Sequence, residues 1–367
     1  VVRKVSSGGA GGFVRQWSFF GRSHPVSTQA AVSLDLPLLD LEAELTALLA
    51  QIPRGRVTTY GDLADALGFR TAARWVGVYL RLHPHTALCP CHRVVRKGGE
   101  LGLYVEGREP TEKADRLIAE GVPVCDQRVE HFDELAFRDF HSDKPLARLI
   151  ELQHELAQRV RLIPQHDVPR LAAGLDVSYS RDGMATGACA IVENRSGRVV
   201  WSTTHRDRPA LPYIPSLLTF RELPMLLALF ERSRQEFPEL DLYFVDGNGI
   251  LHPRGAGVAA CFGVVADVPT VGVAKSLLCG RLQPPADDSA DLPALLAVED
   301  RVVGAVLMPP SSSRPLYVSP GQKMDVASAA RLTKEFTFDH RLPEPLYWAD
   351  RLSRAQAKLG AKSQADR

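Results

Sequence analysis

The chain has 367 residues, with 44 basic and 43 acidic side chains, a net charge of +1, and 45% hydrophobic and 24% charged residues. That length predicts about two domains and that composition two packed cores, which excludes a fibrous or low-complexity chain. No apolar run approaches the roughly 18 residues of a membrane span and no secretory segment is visible, so a cytoplasmic protein without membrane contact is expected, and six cysteines are too sparse for a disulfide scaffold.

Residues 1–37 contain the run Ser6-Ser7-Gly8-Gly9-Ala10-Gly11-Gly12 and are expected to be disordered. The first residue is Val1, which points to an alternative start or a trimmed chain. A first domain is expected over residues 38–122. Within it, residues 60–67 predict an amphipathic helix with Leu63, Ala64 and Leu67 inward, closed by Gly68. Thr71 is placed to cap a second helix running to about Arg81. This is a helix-turn-helix pattern. The outer face of the second helix offers small residues around Arg74, so it can approach a nucleic-acid groove closely while the arginine fills the gap left by a displaced base. Between Arg54 and Lys97 lie eight basic residues against two acidic ones, Asp62 and Asp65, an electrostatic footprint for a polyanion.

Pro90-Cys91-His92-Arg93-Val94 sets a thiol beside an imidazole in this basic region, the setting that turns a cysteine into a nucleophile. The same loop holds His83, His85 and Cys89, all usable zinc ligands, but the paired Cys-x2-Cys spacing of zinc sites is missing and zinc is not expected.

Three runs, residues 52–60 (Ile-Pro-Arg-Gly-Arg-Val-Thr-Thr-Tyr), 72–77 (Ala-Ala-Arg-Trp-Val-Gly) and 90–95 (Pro-Cys-His-Arg-Val-Val), resemble O6-alkylguanine-DNA alkyltransferases. The resemblance implies a small, mostly helical, winged-helix-like domain that binds DNA through Tyr60, Ala72, Arg74 and Arg81. Tyr60 would push the target phosphate, Arg74 would support base flipping, and Cys91 would take the alkyl group. His92 would act as a water-mediated base with Glu120 as its partner. A thioether is not hydrolysed in the cell, so each molecule would act once. The chain departs from the family at His83-Pro84, where Asn-Pro is usual, which puts loop positioning in question. The family's separate amino-terminal domain is expected to be missing or much reduced.

Residues 123–145, rich in charge and turn formers, are expected to be a linker, with Phe132, Leu135, Phe137 and Phe140 able to dock on a domain. A second domain is expected over 146–355 and a disordered tail over 356–367. The second domain opens with an amphipathic helix at 146–160, followed by strands at 171–177, 186–192, 198–204, 241–245, 270–273 and 302–307 and helices at 220–234 and 257–266. Early hairpin-like strands followed by strand-helix units predict a mixed-sheet α/β domain compatible with an RNase H-like fold, so the whole chain is expected to be a multi-domain α/β protein.

Asp176 ends an apolar strand, as does Asp246, where an unpartnered charge is costly. With Glu222 and Asp350 they form a set of hard oxygen donors without Cys or His, which suits Mg²⁺. The run Gly247-Asn248-Gly249-Ile250-Leu251-His252-Pro253 lacks the fingerprints of dinucleotide and P-loop sites, and its glycines are read as backbone that lets a base come close.

Together with Pro212-Tyr213-Ile214-Pro215, Phe220-Arg221-Glu222, residues 271–276 (Val-Gly-Val-Ala-Lys-Ser) and Val318-Ser319-Pro320-Gly321, these motifs resemble endonuclease V. The resemblance implies Mg²⁺ held by Asp176, Glu222, Asp246 and Asp350, with His252 and Lys275 assisting phosphate binding and catalysis. It also implies a base-separating wedge at residues 212–215 that includes Tyr213 and Ile214, and a base pocket lined by backbone around Leu218, Gly247 and Gly249. The substrate implied is deoxyinosine in DNA, cut at the second phosphodiester on its 3′ side. Ser216 stands where glycine is usual and Gln322 where histidine is common.

The reading is a monomeric bifunctional repair protein acting on double- or single-stranded DNA with O6-alkylguanine or deoxyinosine lesions, with RNA as a further possible substrate. The alternative is an endonuclease V whose first domain is a DNA-targeting module without chemistry.

Overall fold

The computed structural model describes residues 39–86, 88–105, 111–283 and 294–365; the expected disordered segment 1–37 lies outside the described residues. Helix α1 (Leu41–Ala50) starts where the Asp40 side chain accepts the Ala43 N–H at 2.9 Å, and its buried residues Leu41, Leu45, Leu48 and Leu49 repeat at helical spacing. A short strand β1 (Thr58–Thr59) leads into α2 (Tyr60–Ala66) through a capping box between Thr59 and Asp62. The second helix of the motif differs from expectation at its start. A 3₁₀ turn (Arg70–Ala72) runs directly into α3 (Ala73–Leu82), and no side chain caps it, so Thr71 lies inside the turn.

The 3₁₀ turn Pro90–Arg93 carries the Cys-His pair into β2 (Val94–Val95), which pairs in parallel with β1. Helix α4 (Glu112–Ile118) follows. The segment expected as a linker, 123–145, is instead folded onto this lobe. It forms the hairpin β3 (Val124–Cys125) and β4 (Arg128–Val129), whose turn residues Asp126 and Gln127 both have positive φ, and then a single turn α5 (Phe132–Leu135). Val129 is buried with Val57, Val95, Leu101, Leu117 and Val122, while Phe132 and Leu135 pack against that cluster. Val57 donates to the Leu135 carbonyl at 3.0 Å and accepts from the Phe137 N–H at 2.6 Å. The apolar side chains of this segment outweigh its charged, turn-rich composition.

Helix α6 (Pro145–Gln158) joins the lobes. Leu146 and Leu149 lie in the core of the first lobe with Leu45, Leu63 and Val76, whereas Leu156 belongs to the core of the second.

The second lobe is built on a sheet of nine strands among the described residues. In chain order the elements are β5 (Leu171–Tyr179), β6 (Ala185–Glu193), β7 (Val199–Asp207), α7 (Leu218–Glu236), β8 (Tyr243–Asp246), α8 (Val258–Ala266), β9 (Thr270–Ala274), β10 (Arg281–Gln283), β11 (Ala294–Val298), β12 (Arg301–Leu307), β13 (Leu316–Pro320), α9 (Val326–Glu335) and α10 (Glu344–Ala365). The sheet order is β10-β11-β12-β13-β9-β8-β5-β6-β7. Strands β5, β8 and β9 run parallel and the outer ones antiparallel, the mixed α/β sheet expected. Helices α7 and α8 cover one face and α9 and α10 the other, with separate apolar clusters on the two sides. Helix α10 continues through Ala365, into the stretch expected to be a disordered tail.

Candidate active sites

In open α/β sheets ligands bind beyond the carboxyl ends of parallel strands, and the second lobe gathers its carboxylates there. Asp176 lies near the end of β5, Asp246 ends β8, and the register Leu175 to Val245 sets them side by side. Asp350 arrives from α10, which reaches the sheet because residue 174 is glycine: a Cβ there would lie 2.1 Å from the Pro345 carbonyl. One carboxylate oxygen from each of Asp176, Asp246 and Asp350 lies within 4.8 Å of the others. Glu222, on the first turns of α7, lines the same cleft of about 330 Å³ with Leu218, Gly247 and Lys275.

The electrostatics of this cluster call for a cation. Burial, and then the neighbouring Asp246 charge, raises the Asp176 carboxyl. Burial pushes Glu222 up to about 8 even though the Tyr179 hydroxyl donates to it at 3.2 Å. Lys275, one residue past β9, supplies a positive charge, its Nζ 2.6 Å from both Asp246 and Asp350. Despite burial, those two carboxylates hold its ammonium above the usual range. Ser353 donates to Asp176 from the next turn of α10. The donor set is hard oxygen throughout, and it fits a small divalent metal better than a soft one.

In the first lobe, Cys91 and His92 are both buried, in the turn between α3 and β2. His92 Nε2 lies 3.1 Å from Glu120 Oε1, and Arg93 donates to both oxygens of the same carboxylate at 2.7 and 2.6 Å. Burial alone would raise Glu120, but these donors hold it at about 2. Burial lowers the His92 imidazole, whose buried Nδ1 has no partner among the described residues. An orphaned polar atom at this depth is a seat for a bridging water. The neighbouring Cys91 thiol draws the Cys89 thiol down, and the Cys89 charge together with burial pushes Cys91 up.

Two parts of the chain match known families, residues 154–351 the family described as Endonuclease V and residues 40–122 the 6-O-methylguanine DNA methyltransferase DNA-binding domain. A protein named bifunctional methyltransferase/endonuclease from Thermoplasma volcanium is 32% identical over 83% of this chain and 87% of its own length. The chain belongs to the endonuclease V family. Within that family, the Azotobacter vinelandii endonuclease V is 42% identical over 60% of this chain and 98% of its own. The Ciona intestinalis endonuclease V, solved with a 23mer DNA containing an inosine, is 26% identical, covers 59% of this chain and 99% of that one, and superposes with a TM-score of 0.52.

The other predicted site residues range from buried to exposed. His252 is buried and does not line the carboxylate cleft; its Nδ1 accepts the Arg254 N–H at 3.1 Å, and burial pushes it down to about 4. Gly249 is demanded by the protein's own packing, since a Cβ there would sit 2.0 Å from the Pro320 carbonyl, and Gly247 adopts φ +137 against Val258. Ala72 is fully buried in the first-lobe core and offers no side chain to DNA, while Arg74 and Arg81 are exposed on α3. Tyr60 is half-buried, its hydroxyl 3.4 Å from the Leu103 carbonyl. In the wedge, Tyr213 is 62% exposed but Ile214 only 1%, because Ile214 packs into the core of the first lobe. Ser216 sits at φ +67, the conformation that glycine takes freely. Gln322 is buried, its side-chain oxygen accepting the Arg161 N–H at 2.7 Å.

Other residues carried no motif signal. Lys113, buried to 1% exposure, is pushed down to about 7 by burial although the Cys91 sulfur favours its charge, and its ammonium donates to the Leu101 carbonyl. Tyr104, whose pKa burial raises, also stands beside Cys91. Arg93 lies in the 90–95 run, where nothing signalled its pairing with Glu120.

Proposed function

We propose that this protein joins two repair chemistries: metal-dependent nicking of DNA beside a deaminated base in the second lobe, and stoichiometric transfer of an alkyl group from O6-alkylguanine to Cys91 in the first. The observation that carries the reading is the convergence of Asp176, Asp246 and Asp350 at the carboxyl ends of parallel strands, with Glu222 in the same cleft. Mg²⁺ is the metal proposed, held by these four residues; when bound, it supplies activation of water and neutralises charge on the departing oxygen. Lys275 offers an ammonium for the scissile phosphate, Leu218 and Gly247 border the space for the displaced base, and Tyr213 stands free to enter the stack. Deoxyinosine as substrate follows the likeness to a relative solved with inosine-containing DNA, and the cut at the second phosphodiester on its 3′ side is what the motif resemblance implies.

In the first lobe, Glu120 orients His92, whose open Nδ1 can take the Cys91 proton through a water. The thiolate attacks the alkyl carbon, the carbon–oxygen bond breaks, and the guanine keeps the electron pair and takes up a proton. Arg74 and Arg81 on the exposed face of α3 would meet the DNA.

Mixing the full chain with a labelled duplex holding one deoxyinosine, with and without Mg²⁺, tests the nicking. A metal-dependent cut lost in Asp246→Ala is expected; an equal cut by that variant would exclude the carboxylate site.

A further inference from the structure

The loop between α3 and β2 gathers four nitrogen and sulfur ligands that the fold places face to face. His83 and His85 follow the end of α3, and Cys89 and Cys91 sit at the start of the 3₁₀ turn, so the chain folds back on itself over a few residues. His83 Nε2 is 3.2 Å from Cys89 Sγ, Cys91 Sγ is 3.4 Å from His85 Nδ1, and ligand atoms from all four residues lie within 4.8 Å of one another. Metal–ligand bonds of tetrahedral zinc place its ligands about 3.3–3.8 Å apart, so these spacings need only small adjustment. His83 shows the orientation that ligating histidines have: its Nδ1 bonds the Leu80 carbonyl at 2.9 Å, which puts the proton on Nδ1 and leaves the Nε2 lone pair facing Cys89.

We infer that His83, His85, Cys89 and Cys91 form a zinc site. Two imidazoles and two thiolates select zinc over the hard cation suited to the carboxylate cluster. Binding holds both sulfurs as thiolates and leaves the metal and its ligands without net charge, as suits residues of which His83 and Cys91 are buried. The spacing His-x-His-x3-Cys-x-Cys differs from paired Cys-x2-Cys motifs, which is why the sequence pointed away from zinc. Histidine at position 83, an oddity for loop positioning, then has a role as a ligand. Given the reading of Cys91 as alkyl acceptor, zinc would mask the thiolate at rest, and alkylation would release the metal because a thioether is a poor zinc ligand.

Cobalt(II) titration of the metal-stripped full chain tests this. The expected result is about one equivalent bound with a thiolate-to-cobalt charge-transfer band and tetrahedral visible bands, displaced by zinc and lost in His83→Asn and Cys89→Ser. The carboxylate cluster can also bind cobalt, but it holds no sulfur and gives no such band. Deoxyinosine nicking and circular dichroism report that the variants are folded. No charge-transfer band in the wild type, or the same band in both folded variants, would overturn the site. Zinc is expected to slow methyl transfer from O6-methylguanine DNA at least tenfold in the wild type and not in Cys89→Ser. Equal rates with and without zinc would overturn the masking. A chain that forms the band with cobalt but transfers no methyl when metal-free would mean that the acceptor reading had failed while the zinc site stood.

Discussion

At the scale of single residues, the polar groups that matter are those whose charge is fixed by buried partners. Glu120 accepts from Arg93 and His92, and replacing it by glutamine removes the charge that both donors answer, at a cost of about 2 kcal/mol. Because its folded pKa is depressed, its stabilisation is complete above the unfolded carboxyl range and is lost as the pH falls through about 2. Thermal unfolding at stepped pH should therefore show the wild type losing its advantage over Glu120→Gln between about pH 4.5 and 2. Ser216, at φ +67, pays for a conformation that costs a non-glycine residue about 1 kcal/mol, so Ser216→Gly should raise the unfolding midpoint in denaturant. No change, or a fall, would mean that the local backbone is not strained. Asp176, Asp246 and Cys91 were legible in the sequence because a carboxylate closing an apolar strand and a thiol beside a histidine stand out locally. Lys113 and Tyr104 were not, because only the fold carries them to Cys91.

At the scale of elements, the carboxylate site depends on how closely α10 lies on β5. Gly174 is what permits it. Gly174→Ala would set a methyl 2.1 Å from the Pro345 backbone, pushing α10 and Asp350 outward. The expected outcome is destabilisation of about 1–3 kcal/mol and loss of nicking, read by denaturant unfolding and strand mapping. Unchanged nicking would mean that Asp350 is dispensable. The strands were readable from apolar runs and the helices from their period, so β5, β8 and β9 fall within two residues of their predicted positions. The hairpin of β3 and β4 was hidden because both strands are only two residues long and the turn is Asp126-Gln127 rather than a glycine pair. Thr71 looked like a helix cap, yet the chain enters α3 through a 3₁₀ turn already in helical geometry, which leaves that cap no place.

At the scale of the whole molecule, the lobes share a core. Leu211, Ile214, Leu217 and Phe220, from the wedge loop and α7, pack with Leu45, Leu63 and Leu67 of the first lobe, and α6 carries leucines into both cores. Arg254 reinforces the joint, bonding the Ser216 carbonyl and Gln153 while its guanidinium lies 5.9 Å from the Phe69 ring. Ile214→Ala should therefore cost about 2–4 kcal/mol and destabilise both lobes together, whereas Tyr213→Ala should leave stability nearly unchanged and weaken nicking. Differential scanning calorimetry showing an unshifted first-lobe transition in Ile214→Ala would contradict the shared core. Little of this joint was legible in the sequence, where the apolar residues of the wedge read as surfaces for DNA; only the docking of Phe132, Leu135, Phe137 and Phe140 from the expected linker was foreseen. The central claim is that one chain carries two separable chemistries. Its most direct measurement is a single incubation of the full chain with Mg²⁺ and a duplex bearing both O6-methylguanine and deoxyinosine, followed by peptide mass analysis and strand mapping. The account predicts a gain of about 14 Da on Cys91, one methyl group replacing a hydrogen, together with a nick on the 3′ side of deoxyinosine, with Cys91→Ala losing only the first and Asp246→Ala only the second. An unmodified Cys91 beside normal nicking, or the loss of both activities in either folded variant, would contradict it.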